Sequence, residues 1–386
     1  MKQSPNQFAK TFVQDPCDLE RNNEPQSIAT TQVGEERRRG RGARSNANGR
    51  FEPDERNTFD DGWESLATLD DFKTTTQPET VRTIITRNNS PDISFDRSIN
   101  PYRGCEHGCI YCFARPTHCY LGHSAGLDFE TKLYAKTNAA KALEKELAKP
   151  GYTPDIIALG ANTDPYQPIE RREKITRSIL EVLQATQHPV GIVTKSAGVL
   201  RDLDILSEMA KDGLVKVALS VTTLDRKLAR AMEPRAATPD KRIDTIEKLS
   251  AAGVPVMVMV APVIPALNDH EIEVILKHCY EAGAREAGYV MLRLPIELKQ
   301  LFREWLATDY PDRANRIIGH IQSMHGGKDY SADFSLRQKG QGPYARQIAN
   351  RFSLASKRLG FNRNRLRLRT DLFTAPVSPG AQMNLF

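Results

Sequence analysis

Between about residue 95 and residue 295 the chain alternates short apolar runs with helical patterns, and this rhythm limits the folds open to it. The apolar runs are Asp155–Gly160, Pro189–Lys195, Val215–Val221, Pro255–Val260 and Gly288–Leu294. Between them, Ile169–Leu183 sets Ile175, Ile179, Leu180 and Leu183 on one face, and Asp269–Ala282 does the same with Ile272, Ile275, Leu276 and Cys279. Gly253 and Gly283 fall just past helices, where a left-handed cap favours glycine. Strands alternating with helices predict a parallel sheet buried on both faces. With one more strand just before Cys105 there are six βα units, which fit an open, partial barrel better than a closed eight-stranded one. The predicted class is α/β, a partial (βα)6 TIM-type barrel with a disordered N-terminal arm and a basic C-terminal extension.

In such folds ligands bind where the C-terminal ends of the strands meet the following loops. Cys105-x3-Cys109-x2-Cys112 follows the first strand. Asn162-Thr163-Asp164, Lys195-Ser196, Ser220, Thr222 and Arg293 follow later ones, so all would ring one mouth. Three thiolates in eight residues read as a metal centre of a reducing compartment. A [4Fe–4S] cluster usually takes four cysteines, so three leave one iron open to a small molecule. Zinc is the rival: Cys3His is a common structural set, and His107, His118 and His123 lie nearby.

The 386 residues exceed one average domain, and the 39% apolar content suggests that part of the chain lies outside any core. Residues 1–80 are rich in Gln, Asn, Ser and Thr and carry a basic run, Arg37-Arg38-Arg39-Gly40-Arg41. They are expected to form a largely disordered arm, with Phe51, Phe59, Trp63 and Phe72 as anchors on the folded body. The barrel is expected over 81–295, a helical and basic extension over 296–374, and a flexible tail over 375–386. No run of eighteen apolar residues and no signal-peptide pattern occurs, so a soluble, cytoplasmic protein without membrane contact is expected.

Cys105-x3-Cys109-x2-Cys112, with the aromatic Tyr111 before the last cysteine at the head of a six-fold βα chain, resembles the radical S-adenosylmethionine superfamily. Asn-Pro-Tyr-Arg-Gly-Cys (100–105), Thr-Asp-Pro-Tyr-Gln-Pro-Ile-Glu (163–170) and Met-Glu-Pro-Arg (232–235) make it similar to the spore photoproduct lyase-like branch. The Arg-Gly-Arg-Gly-Ala stretch and Arg-Leu-Pro (293–295) suggest an uncharacterised bacterial group within it. The resemblance implies that Cys105, Cys109 and Cys112 hold three irons of a [4Fe–4S] cluster and that S-adenosylmethionine chelates the fourth. It further implies reductive cleavage of that ligand to a 5′-deoxyadenosyl radical, with an electron donor such as flavodoxin or ferredoxin.

On the same ground Tyr111 lies by the adenine, Thr163 and Asp164 by the methionyl amino group, Lys195 by its carboxylate, and Ser220 by the ribose or carboxylate. The Gly-Gly-Glu usual at the second strand end is missing. No cysteine lies in Gly160–Asp164, where these lyases carry a hydrogen donor, so thymine-dimer repair does not transfer directly. Cys119 is a further catalytic candidate. Cys17 and Cys279 read as bystanders, and Glu233 and Arg235 as an ion pair.

Net charge is +6, yet Arg337–Arg369 alone holds ten cations and no acid, which leaves the rest at about −4 by subtraction. These cations interleave with Tyr344, Phe352 and Phe361, a composition suited to a nucleic-acid surface. Arg363, Arg365, Arg367 and Arg369 alternate with other residues and as a strand would share one face. The alternative is a solvated face that balances an acidic barrel. Gln382–Phe386 resembles the pentapeptide by which bacterial DNA enzymes dock onto the replication sliding clamp. The favoured expectation is therefore a radical enzyme acting on nucleic acid, in DNA repair or modification. The alternatives are a radical enzyme for a protein or small molecule, and a non-catalytic, zinc-stabilised DNA-binding protein.

Overall fold

The computed structural model describes residues 32–52 and 71–376; Cys17, Phe59, Trp63 and the terminal pentapeptide 382–386 lie outside them. Six parallel strands form the expected sheet: β1 (Arg97–Ile99), β2 (Ile157–Leu159), β3 (Val190–Thr194), β4 (Val215–Ser220), β5 (Val256–Val263) and β6 (Glu286–Met291). They pair strictly in chain order. The outer edge of β1 takes a two-residue antiparallel strand, Thr86–Arg87, so the sheet curls without β1 meeting β6. This is the predicted partial barrel, with its first strand at 97–99.

Helices α1 (Ala139–Leu147), α2 (Ile175–Ala185), α3 (Leu203–Lys211), α4 (Pro239–Ala251) and α5 (Ile272–Glu281) return the chain between strands. The periodic stretch expected at 169–183 breaks at Lys174, which takes a left-handed φ of 52°. The Glu170 carboxylate accepts from the Thr176 amide (3.0 Å) and so caps α2 at the break. Gly253 and Gly283 take φ of +79° and +106°, as their positions past α4 and α5 require. Ile179, Leu183, Leu206, Ile246 and Ile275 pack against Ile192, Val217, Leu219 and Val258 to make the main core.

One expectation needs correction. The strands are not fully buried on both faces: β3, β4 and β5 alternate buried with half-buried residues. The buried set meets the helices, and the alternate set, including Val193, Ala218 and Met259, lines the hollow of the curled sheet.

The segment 32–52, expected within a disordered arm, instead packs onto the barrel with Ala43 and Ser45 fully buried. Phe72 also packs against the body as an anchor, whereas Phe51 stays exposed. Thr75–Glu79 pairs with Lys132–Lys136, which in turn pairs with Tyr102–Arg103 just ahead of the cysteines.

After β6 come α6 (Leu298–Asp309), α7 (Pro311–Met324) and α8 (Gly342–Leu359), where Phe302, Trp305, Ile317 and Ile321 form a second core with Met232 and Leu294. An extended strap follows. Its Leu366 amide donates to Glu286 (3.0 Å), its Arg369 amide to the Gly213 carbonyl (3.0 Å), and its Thr374 amide to the Thr186 carbonyl (2.9 Å). Those acceptors sit at the N-terminal ends of β6, β4 and β3, so the strap crosses the end of the barrel opposite the cysteine loop.

The aromatics of this region are not free to stack on bases. Ala345, Ile348 and Phe352 form the buried stripe of α8, with Phe352 against Tyr289 and Phe361 against Tyr280. Tyr344 donates to Asp269 (2.8 Å). Arg337 pairs with Asp92 and Arg351 with Glu273.

Candidate active site

The cysteine loop turns on two glycines in the left-handed region, Gly104 at φ +73° and Gly108 at φ +65°. A Cβ on Gly108 would meet the Glu130 carboxylate at 2.6 Å, and one on Gly42 would lie 1.8 Å from the Gly108 carbonyl oxygen. The arm and the loop are thus in backbone contact. Behind the loop, the buried Arg115 guanidinium donates to the carbonyls of Gly108 (3.1 Å), Cys109 (2.9 Å), Ala125 (3.1 Å) and Gly126 (2.9 Å) and to Glu130. Glu130 also accepts from the amides of Gly42 (2.9 Å) and Ala43 (2.8 Å).

On another side the Ile110 amide donates to the Met232 carbonyl (3.0 Å). Arg235 donates to Glu106 (3.0 Å), and the Glu106 amide donates to Gln167 (2.9 Å). The expected Glu233–Arg235 pair does not form among the described residues. Glu233 instead receives the Tyr111 hydroxyl and the Arg242 guanidinium, together with the Thr222 hydroxyl (2.8 Å). Arg242 also donates to the Ser220 carbonyl (3.1 Å).

Cys105 and Cys109 are buried and Cys112 is half-buried. Burial pushes the Cys109 thiol up to about 12, against the pull of Lys195. Burial and then the Asp164 charge raise Cys105 too. Such thiols ionise when a bound metal takes their charge.

The nearby histidines do not complete a Cys3His set. His107 Nδ1 faces Asp164 at 3.4 Å, His123 Nε2 shares a hydrogen bond with Tyr134 (2.6 Å), and His118 packs edge-on to Phe129. The donors on the loop are therefore three sulfurs, a set that suits an iron–sulfur cluster with one iron left for another ligand.

Of the residues assigned to S-adenosylmethionine, Lys195 and Tyr111 come together, with the Lys195 Nζ 5.6 Å from the ring centroid. Ser220 is buried and joins them through Arg242 and Glu233. Thr163 and Asp164 turn inward. Thr163 donates to the Tyr102 carbonyl (2.9 Å). Asp164 accepts from the Thr194 hydroxyl (2.7 Å) and from the amides of Lys195 (2.9 Å) and Tyr166 (2.9 Å). Burial would raise the Asp164 carboxyl, but His107, Lys195 and Thr194 together hold it below the usual carboxylate range. Thr163 fastens the β2 end to the segment after β1, and Asp164 fastens it to the β3 end.

Cys119 is fully buried beside Glu297 and Arg50, and burial followed by the Glu297 charge raises its thiol to about 12. Arg115, Glu130 and Arg242 were missed in the sequence. Glu130 acts through Gly42 and Ala43, far along the chain, and Arg115 and Arg242 act through backbone carbonyls and carboxylates that no motif marks.

A cavity of about 500 Å³ opens beside the loop, lined by His107, Arg171, Ser196, Arg201, Arg235 and Lys241 among others. These residues follow the C-terminal ends of β1 to β4.

A partial barrel that carries three cysteines after its first strand, with a cation and an aromatic ring beside them, is laid out as a radical enzyme that uses S-adenosylmethionine. A family model described as the radical SAM superfamily matches residues 99–279, and the chain belongs to that superfamily. An uncharacterised protein of Mycobacterium tuberculosis is 39% identical over 230 residues, 59% of this chain and 68% of the relative. An uncharacterised protein of Methanocaldococcus jannaschii is 28% identical over 214 residues, 55% of this chain and 76% of the relative. Among solved structures, spore photoproduct lyase complexed with dinucleoside spore photoproduct shares the fold, with a TM-score of 0.52, 16% identity, and 75% and 82% of the two chains covered. The superfamily implies an iron–sulfur cluster and S-adenosylmethionine, and the three-sulfur loop fits both. No helix among the described residues is long and apolar enough to cross a membrane.

Proposed function

We propose that this radical enzyme acts on a nucleic acid, in repair or modification, with a [4Fe–4S] cluster held by Cys105, Cys109 and Cys112. The observation that carries the substrate class is the charge of the mouth. The cavity lining includes four cations, Arg171, Arg201, Arg235 and Lys241, and one carboxylate, Glu170, which is buried against Arg201. A cationic rim around a radical site suits a polyanion, because phosphate contacts release counterions. Arg235 reaches both the cavity and Glu106 on the cysteine loop, so a strand held there lies beside the loop.

When bound, the cluster and S-adenosylmethionine supply the 5′-deoxyadenosyl radical, given an electron from a donor such as flavodoxin or ferredoxin. The residues of the chain bind, orient and shield. Lys195 offers a cation to the methionyl carboxylate. Tyr111, fixed through Glu233, presents its ring to the adenine, and Ser220 faces the ribose. A reducing, cytoplasmic setting suits a centre built on three free thiols.

The test is anaerobic reconstitution with iron and sulfide, followed by reduction with labelled S-adenosylmethionine in the presence and absence of single-stranded DNA. Label in 5′-deoxyadenosine that rises with DNA, together with oligonucleotide binding that weakens steeply with salt, supports the reading. Absence of oligonucleotide binding at low salt defeats it.

A further inference from the structure

Large apolar side chains left in solvent are informative when they gather. Among the described residues, Phe51 (47% exposed), Phe113 (39%) and Tyr120 (55%) gather around the cysteine loop. Phe113 directly follows Cys112, and Tyr120 lies on the short helix Arg115–Leu121 that continues the loop. Phe51 comes from the packed arm and stacks on Tyr120, with ring centroids 5.2 Å apart and an interplanar angle of 29°.

Two guanidiniums brace these rings. Arg50 sits 5.3 Å from the Phe51 centroid and 5.7 Å from that of Tyr120, and it is held by Glu297 at 2.5 Å. Arg293 sits 4.8 Å from the Phe113 centroid, and its Nε is buried without a hydrogen-bond partner.

The placement gives the cluster its meaning. Arg293 and Glu297 follow β6, whereas Phe113 and Tyr120 follow β1. These two strands do not pair, so the contacts bridge the gap between the barrel's two edges and leave the rings at its solvent surface. Flat apolar faces backed by guanidiniums, on a mouth rimmed with cations, match a planar base whose backbone carries phosphates.

We propose that Phe113 and the Phe51–Tyr120 pair form a stacking platform for an unpaired base of the substrate strand at the gap between the barrel's edges. The proposal rests on the nucleic-acid reading above and adds the residues that select an unstacked base. Stacking on an aromatic ring contributes about 1–3 kcal/mol per base, or roughly 5- to 150-fold in affinity.

The experiment uses the reconstituted holoenzyme and a short single strand that carries one 2-aminopurine, titrated at fixed low salt. Wild type is expected to quench the fluorophore on binding. Tyr120→Leu, which keeps apolar bulk, should bind roughly 5- to 150-fold more weakly without that quenching, and Tyr120→Phe should restore both. Iron content and melting temperature serve as controls for folding. An abasic strand should bind wild type as weakly as the intact strand binds Tyr120→Leu. Equal affinity and quenching in wild type, Tyr120→Leu and a Phe113→Leu companion overturns the platform while the nucleic-acid reading stands. Failure of wild type to bind any strand removes the nucleic-acid reading itself, and the platform with it.

Discussion

Arg115 and Glu130 meet at 2.5 Å with both side chains fully buried against the back of the cysteine loop. Buried ion pairs are costly to break because the remaining charge has no solvent, and removal of one partner typically costs about 3–5 kcal/mol. Here the pair also fixes two of the loop's carbonyls and two amides of the arm. Glu130→Ala is expected to lower stability by about that amount and to leave the reconstituted protein with little iron. Thermal melting and iron and sulfide analysis check both outcomes, and an unchanged iron content would count against this support of the loop.

Gly42 tests the same contact from the arm. A methyl group there would stand 1.8 Å from the Gly108 oxygen, a distance that backbone cannot accept, so Gly42→Ala must push the arm away from the loop. Faster proteolysis of the arm and reduced iron retention are expected. Gly151→Ala is the comparison: it carries backbone strain of its own, at φ +79°, but nothing lies within 4 Å, so it should retain iron.

These two cases show how much of the site could be read from sequence. The cysteines, Tyr111, Lys195 and Ser220 were singled out by their motif and by strand ends that a βα rhythm sends to one mouth, and the fold brings Lys195 and Tyr111 together. Arg115 and Glu130 were not, because Glu130 takes its meaning from Gly42 and Ala43, about ninety residues away, and Arg115 takes its own from Glu130 and four backbone carbonyls. Thr163 and Asp164 were read as ligand contacts from the family resemblance at the second strand end. Which way a polar side chain turns there depends on neighbours such as Tyr102 and Thr194 that lie on other strands. The arm was read as disordered from composition, yet Gly42 and Ala43 find their partners in the barrel rather than along the chain.

Lys195 has its amine over the Tyr111 ring, and its charge pulls against the rise of the Cys109 thiol. If it meets the methionyl carboxylate, its loss removes a charge-assisted hydrogen bond that typically contributes about 1.5–3 kcal/mol. Lys195→Met is expected to weaken S-adenosylmethionine binding by roughly 10- to 150-fold with iron content retained. Equilibrium dialysis of the reconstituted protein measures this, and an unchanged dissociation constant would remove Lys195 from the ligand set.

His188 makes stability fall in mild acid. It is fully buried, with Tyr152 at 2.9 Å from Nε2 and the Pro189 carbonyl at 3.0 Å from Nδ1. Burial pulls its imidazole down to about 4, against the pull of the Pro189 carbonyl. In the unfolded chain the value is about 6.5. Between these values the unfolded chain binds a proton that the folded one refuses, so stability is constant above about 6.5 and declines as pH drops towards 4. The slope from one such group cannot exceed about 1.4 kcal/mol per pH unit. Melts from pH 7.5 to 5 should show the decline, and His188→Gln should flatten part of it. An equal slope in the variant would place the proton uptake elsewhere.

The strap separates affinity from catalysis. Residues 363–369 form no strand; Arg363, Arg365, Arg367 and Arg369 are all exposed and Leu366 and Leu368 half-buried, so the strap turns its guanidiniums to a solvent face. That face crosses the N-terminal ends of β3, β4 and β6, whereas Lys241 and Arg235 line the cavity at the other end. Arg369 is also tied to Asp371 at 2.7 Å, which leaves Arg363, Arg365 and Arg367 as the freer cations. On the nucleic-acid reading, alanine at those three should lower the salt dependence of single-strand binding by about 2 in log–log slope, from roughly 0.7 per phosphate contact. The yield of 5′-deoxyadenosine per bound strand should hold, because the ridge cannot reach the cysteine loop. Lys241→Ala should do the reverse, removing less than one unit of slope while reducing that yield. If the triple variant abolishes turnover at saturating DNA, the strand runs around the barrel from pole to pole, and the strap becomes part of substrate positioning.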